Sequence, residues 1–542
     1  MELFTTIDKM AGRKTIFLLV LFLLSFVFRF PTLFNDFYDV DELSAIVQTH
    51  EYLAGDVPGV DFKESKLPLY HLIFKFSYSL SSGKGWVIAH FINIIIVFLT
   101  AFFIYLIGSK LYNFRTGALA SILYAVLISS FNRHFMATNG EVIFNLPLAA
   151  GLYFFILFFK SGGLRKYSAL LLSFAMGIAA ANVKFHGLIF FIFLTVFAVF
   201  YYPYYMKKIN VRYIIILSGI LLLVVMVFFI DYIFKNYFAA SLLAKAQTKI
   251  FYAIAKGTDP LYFIYRFVHR QGMLALWHMV VWVPASIFLI NFFKNKFREA
   301  SIEESAVVIF YIFTYLMVFA GIARLYFHYF MISYPAMCVL ASAAINNFEI
   351  KRIIFIKKKL VILIMIPALF FLAWNTKDVI IKHFYPSAFY NEGKILYWTR
   401  AVLAGSFNDY LLPDASLIGT CGYIKKITGP EDRISVWGDG PAIYYFSGRR
   451  VGIYNIWPKT RIIKINRLYK KGSEESVRDA RINEKQLIDV MNKKRPVLFV
   501  DTSENGFSGF YYKMTPLVEA YVKEHYDFIK ELDKIKIYRL KK

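Results

Sequence analysis

Cysteine is almost missing from this chain: there are two in 542 residues, Cys338 inside an apolar run and Cys421 far beyond it. That pair supplies neither a disulfide framework nor the spacing of a zinc site. Acids are sparse as well, 36 Asp and Glu against 62 Lys and Arg, for a net charge of +26. No Gly-rich phosphate loop follows a strand pattern, so no nucleotide chemistry is assigned. Internal repeats and low-complexity tracts are absent. The first apolar run, 16–28, leads into Arg29-Phe30-Pro31 rather than a small-residue cleavage site, so it reads as a retained anchor and not a signal peptide.

What the chain has in excess is hydrocarbon. It is 58% hydrophobic and 19% aromatic, more than a soluble protein of this length could bury. The reading is a polytopic α-helical membrane protein. About eleven apolar runs reach spanning length, near 14–33, 86–107, 117–132, 142–159, 168–184, 187–205, 212–232, 273–293, 305–322, 326–346 and 358–375. The loops between them alternate in character. One set is short and basic, including Lys110 and Arg115, Lys207 and Lys208, and Lys357 to Lys359, as cytoplasmic loops are. The positive charge is thus explained by topology and anionic headgroups, and no nucleic-acid partner is expected. The other set, which includes 37–70, the turn near Lys184, the region 233–272 and everything after 376, faces the opposite side of the bilayer.

Composition divides the chain into a membrane segment over 1–375, with an outer loop over 34–85, and a small α/β domain over 376–542. In the outer loop, 43–53 and 67–80 read as amphipathic helices lying on the membrane, broken by Gly55, Pro58 and Gly59. In the last domain, Arg433–Trp437 and 496–501 read as buried strands, 474–492 and 515–525 as helices, and the closing KIKIYRL as a strand. The region 233–272, with Arg266, His269 and Arg270 near its end, reads either as a lid or as a further interfacial helix.

The scarce acids are concentrated in the outer loop, as Asp39, Asp41, Glu42, Asp56, Asp61 and Glu64, with Lys63 and Lys66 beside them. A carboxylate partly shielded from water at an interface has raised proton affinity and serves as a general base. Asp41 and Glu42 directly follow the first span, and membrane-placed acids are functional more often than not. Lys66 alone reads as a snorkelling lysine; with the acids it reads as a cation for a lipid-linked phosphate. Arg133, His134 and Glu141 form the next outer turn, where Glu141 either starts a helix or joins a polar pocket. Lys184 and His186 interrupt nearly continuous hydrocarbon, while Arg324, His328 and Tyr329 stand at the edge of a late span. All these groups fall on the non-cytoplasmic face. An acid for a base and cations for a phosphate, half in lipid, suit transfer from a lipid-phosphate donor.

At these residues the chain resembles a known family. D-E-L-S-A at 41–45, L-A-G-D-V-P-G-V-D-F at 53–62 and K-E-S-K-L-P-L-Y at 63–70 are similar to the first outer loop of the dolichyl-phosphate-mannose–protein mannosyltransferase superfamily, which includes the bacterial lipid A aminoarabinose transferases. N-G-E-V-I-F-N-L-P at 139–147, K-F-H-G at 184–187, H-Y-F-M-I-S-Y-P-A at 328–336 and V-W-G-D-G-P-A-I-Y-Y-F-S-G-R-R at 436–450 extend the resemblance over most of the chain. It implies a C-type membrane glycosyltransferase (GT-C) fold, a polyprenyl-phosphate sugar as donor, an acceptor outside the cytoplasm, and transfer with inversion. Under it Asp41 is the catalytic base and Glu42 its motif partner. Lys66, Arg133, Lys184 and Arg324 contact the donor phosphate, and Asp39, Asp61, Glu64, His134, Glu141, His186, His328 and Tyr329 line the pocket. The family often has K-P-P-L where this chain has Lys66-Leu67-Pro68-Leu69, which leaves the register of Glu64, and a divalent metal ion bound through it, open. The inserted luminal domain of the protein mannosyltransferases is absent, so the bacterial branch fits better. Two other classes remain: a transporter or flippase of a lipid-linked precursor, and a non-catalytic membrane partner. The first would spread its charges across the bilayer midplane rather than along one edge.

Overall fold

The computed structural model describes residues 2–57, 61–62, 68–129, 133–198, 260–296, 300–317, 327–347, single positions between 366 and 373, 415–438, 440–453, 465–504 except 467, and 514–542. Along the chain the helices are α1 (Glu2–Arg29), α2 (Val40–Leu53), α3 (Pro68–Leu80), α4 (Gly85–Leu111), α5 (Phe114–Leu127), the single turn α6 (Arg133–Met136), α7 (Gly140–Lys160), α8 (Gly163–Val183) and α9 (Ile189–Val196). They continue as α10 (Pro260–Trp277), α11 (Met279–Asn291), α12 (Ile302–Leu316), α13 (Tyr334–Asn347), α14 (Ala415–Ile427), α15 (Gly440–Ser447), α16 (Glu474–Lys494) and α17 (Pro516–His525). Five strands accompany the last four: β1 (Arg433–Trp437), β2 (Arg450–Val451), β3 (Leu498–Asp501), β4 (Tyr526–Leu532) and β5 (Ile535–Leu540).

The chain divides into two compact units. The first is Met1–Asp36, Lys66–Tyr70 and Val87–Lys377; the second is Phe37–Ser65, His71–Trp86 and Asp378–Lys542. Of the outer loop, Phe37–Ser65 and His71–Trp86 thus fall in the second unit and Lys66–Tyr70 in the first.

In the first unit, Arg13–Phe34, Gly85–Leu111, Gly140–Lys160, Gly163–Val183 and Phe327–Asn346 are long and apolar enough to cross a membrane, and Phe267–Trp277 with Met279–Lys294 form a pair bent by 105°. The expected spans at 212–232 and, apart from single positions, 358–375 lie outside the described residues. Helices in lipid gain little from hydrophobicity and associate through close packing, for which small residues are suited. α7 and α8 follow this rule: a Cβ on Gly151 or Gly177 would lie 2.7 or 2.8 Å from the ring of Phe190. The Ser173 hydroxyl donates to the Gly151 carbonyl at 2.9 Å. At the end of α1 the buried Arg29 guanidinium donates to the carbonyls of Phe135 and Met136 at 2.9 and 2.6 Å, acceptors that a short helix leaves open.

The second unit is built on a five-stranded sheet in the order β2-β1-β3-β5-β4. β1 pairs in parallel with β2 and β3, while β5 runs antiparallel to β3 and closes a hairpin with β4. Ile434, Val436, Leu498 and Val500 are fully buried, as strands covered on both faces require. The expected strands and helices of this domain are present to within two residues at each end. The two outer-loop helices diverge from each other. α3 exposes Leu72, Phe76 and Leu80 along one stripe, consistent with a helix lying on lipid. α2 does not: it is buried from Glu42 to Thr49 and at Glu51, and Val47 joins the core of the sheet domain. The same helical period serves either apolar surface.

Candidate functional site

Three segments of the first unit, with His134 on α6 as a fourth, bring ionisable groups to one place. Asn139 precedes α7, so Glu141 falls in its first turn, where the helix dipole favours a negative charge. Lys184 ends α8, in extended backbone, and opens a short 3₁₀ turn over Phe185–Leu188. Gly187 makes that turn feasible: a Cβ there would sit 2.3 Å from the backbone carbon of Ala180. A second 3₁₀ stretch, Phe327–Ser333, carries His328 and Tyr329.

The fully buried Glu141 carboxylate accepts from the Lys184 ammonium and lies 3.5 Å from His328 Nε2. Lys184 Nζ also stands 4.9 Å from the centroid of the Tyr329 ring, a cation–π distance. The His328 ring lies 5.1 Å from His134 and 4.7 Å from Tyr329, and His186 lies 5.6 Å from Tyr329. Six residues singled out in the sequence therefore form one cluster: His134, Glu141, Lys184, His186, His328 and Tyr329. A buried carboxylate is tolerated only when it is paired, and here its partners are a lysine and a histidine. Gly187→Ala is expected to destabilise this turn by about 1–3 kcal/mol, read as a lower thermal midpoint in detergent. An unchanged midpoint would show that the turn relaxes freely.

The outer-loop acids belong to the second unit. Asp39 caps α2, its carboxylate accepting the Glu42 N–H at 2.7 Å, and Glu42 in turn accepts the Tyr38 N–H at 2.7 Å. Both are buried, so these two carboxylates fix the start of the helix. Asp41 lies between them in the first turn and is half-buried. Asp61 accepts the Val57 N–H at 2.9 Å in a local turn. Lys66, Glu64 and Arg324 lie outside the described residues, as does the Arg133 side chain. Among the described residues no three His, Cys, Asp or Glu side chains are placed to hold a metal ion.

A second charged cluster was not anticipated. Glu51 accepts the Val451 N–H at 2.9 Å and the Arg433 guanidinium at 3.2 Å. Asp56 takes Arg433 through both nitrogens at 2.9 and 2.6 Å, Arg450 at 2.8 Å and Lys494 at 3.4 Å. Burial pushes the Glu51 carboxyl up to about 7 from 4.5, and its hydrogen bond with Asp56 works in the same direction. Burial acts upward on Asp56 too, but Arg433, Glu51 and Lys494 outweigh it and hold that carboxyl below the usual range. Folded Glu51 thus keeps a proton that the unfolded chain loses near 4.5, so its contribution is full below that pH and is lost as pH rises through about 7. Asp56 changes only in more acidic solution. The thermal midpoint of the second unit is expected to fall across this window, and Glu51→Gln to flatten the fall. An identical slope in the variant would exclude Glu51 as its source.

No protein-family model matches the chain, and no curated protein matches it by sequence. Solved structures do match in fold. ArnT, the lipid A aminoarabinose transferase, from Cupriavidus metallidurans bound to undecaprenyl phosphate is 14% identical with a TM-score of 0.55, the match covering 97% of this chain and 98% of that one. The archaeal oligosaccharyltransferase AglB from Archaeoglobus fulgidus, in complex with an inhibitory peptide and a dolichol-phosphate, is 10% identical with a TM-score of 0.54, covering 97% of this chain and 74% of that one. The chain has the GT-C membrane fold of these glycosyltransferases, with a small α/β domain toward its C-terminus.

Proposed function

We propose that this chain is a multi-pass membrane glycosyltransferase that moves one sugar from a polyprenyl-phosphate donor to an acceptor outside the cytoplasm, the acceptor being a protein, lipid or glycan. The proposed location is the inner membrane of a bacterium, with the catalytic face and the C-terminal domain periplasmic. The observation that carries the reading is the Glu141–Lys184–His328 cluster, which sets a lysine, a histidine and a buried acid at the ends of membrane-length helices. The solved relatives support it, since one is bound to undecaprenyl phosphate and another to a dolichol-phosphate.

In the proposed reaction the acceptor attacks the anomeric carbon in line and Asp41 takes its proton. The bond from that carbon to the phosphate oxygen breaks, the electron pair leaves with the lipid phosphate, and configuration inverts. Lys184, with Arg133, Lys66 and Arg324, stabilises the leaving charge, which is where preorganised cations contribute most. His134, His186, His328 and Tyr329 line the donor pocket. Asp39 and Glu42 hold the turn that presents Asp41, while Asp61 and Glu64 extend the acidic loop.

The test is transfer by the purified protein in proteoliposomes, supplied with radiolabelled undecaprenyl- and dolichyl-phosphate sugars and a cell-envelope extract. Label passing to an acceptor with equal release of polyprenyl phosphate is the expected result. Movement of intact donor across the bilayer without cleavage would replace this reading with transport, and no turnover of any donor would leave a scaffolding role.

A further inference from the structure

We propose that the C-terminal domain holds the helix carrying Asp41 in its working orientation, with Asp56, Arg433, Arg450 and Tyr445 as positioning residues for the reaction. This rests on the assignment of Asp41 as base.

The helix α2 is gripped at both ends by residues 400 or more positions away. Before its first turn, the Phe37 ring meets Tyr445 at 5.5 Å and Phe446 at 6.0 Å, both edge-on and both on α15. In its middle, Val47 sits in the same core as Ile434, Val436 and Trp437. At its far end, Glu51 takes the N–H of Val451 on β2, the edge strand of the sheet. Just beyond, Asp56 gathers Arg433 from β1, Arg450 from β2 and Lys494 from α16. Arg450 also reaches the Ala54 carbonyl at the helix end, at 3.4 Å.

Two acidic side chains thus face three basic ones in a half-buried network, where a guanidinium held by Asp56 through two nitrogens fixes direction as well as distance. Asp41 stands ten residues before Glu51, about 15 Å along a rigid rod. Release of the Asp56 anchor lets the rod tilt about its remaining contacts and moves the carboxylate at the other end. Angular errors of this kind act on reaction geometry more than on donor affinity. Neither Asp56 nor Arg433 belongs to the unit that holds the Lys184 cluster. Donor binding and base placement are therefore separable by mutation.

The experiment measures kcat, donor KM and hydrogen exchange over 40–53 in the full-length protein, for Asp56→Asn, Arg433→Lys and Tyr445→Ala. The expected result is a fall in kcat of about tenfold or more for Asp56→Asn with donor KM within about twofold of wild type, which is the split that misplacement alone predicts. Faster exchange in 40–53 accompanies it. Arg433→Lys, which keeps the charge and loses the fork, falls in between. Unchanged exchange in 40–53, or unchanged kcat with faster exchange, overturns the proposal. So does loss of donor binding together with kcat, since that marks a general loss of structure. Exchange in Asp56→Asn made in an Asp41→Asn background isolates the anchoring from the chemistry. If Asp41→Asn retains transfer, the base assignment fails even though the anchoring persists.

Discussion

Asp41→Asn is expected to lower sugar transfer by about 10²–10⁴-fold, the usual contribution of a positioned general base, with donor binding retained. Asparagine keeps the size of the side chain and leaves the neighbouring caps intact, since the Glu42 N–H is held by Asp39 and the Tyr38 N–H by Glu42. Hydrogen exchange over 40–53 in this variant separates loss of the base from loss of α2. The half-buried setting at a helix start is suited to a carboxylate, because the helix dipole favours negative charge in the first turn. Activity in the variant should not recover with a more acidic acceptor unless proton removal is the step lost. The measurement is the rate of label transfer from a polyprenyl-phosphate sugar, alongside retention of labelled undecaprenyl phosphate on the protein. Retained transfer would remove Asp41 as base.

Removing Lys184 is expected to have the second large effect, and for two separable reasons. Lys184→Met leaves the buried Glu141 carboxylate with the His328 ring as its remaining nearby partner, and breaking a buried ion pair costs about 3–5 kcal/mol. The thermal midpoint should drop markedly. Replacing both charges, as Lys184→Met with Glu141→Gln, restores neutral packing and should recover most of that stability. It should not recover binding of undecaprenyl phosphate, because the cation is gone. A double variant that is stable and still binds would make the pair purely structural. The pair is coupled, so the two single variants are not expected to sum to the double one.

Much of this was legible in the chain order. Ionisable residues at the ends of apolar runs stand out because lipid tolerates them poorly, and six of them, from His134 to Tyr329, do converge. RISVW and the run ending at Asp501 were readable as strands because buried parallel strands are continuous apolar runs. The fate of α2 was not readable. Its apolar stripe is compatible with lipid or with a sheet, and only the fold places Val47 in the sheet core. Equally hidden was the partnership of Asp56 with Arg433, separated by 377 residues. Single charged residues in polar loops carry no mark of a distant partner. Sequence also did not show that Asp39 and Glu42 accept the backbone N–H groups of Glu42 and Tyr38 at the helix start. Those bonds depend on backbone geometry that composition does not record.

The most direct test of the central claim, that the Glu141–Lys184–His328 cluster cradles a lipid phosphate, is photo-crosslinking. An undecaprenyl phosphate analogue carrying a diazirine beside its phosphate is bound to the wild-type protein in proteoliposomes and the labelled peptides are mapped. Label concentrated in 133–146, 180–188 and 327–335, and displaced by unlabelled undecaprenyl phosphate, is the predicted result. Label elsewhere, or label that unlabelled lipid does not displace, would contradict it.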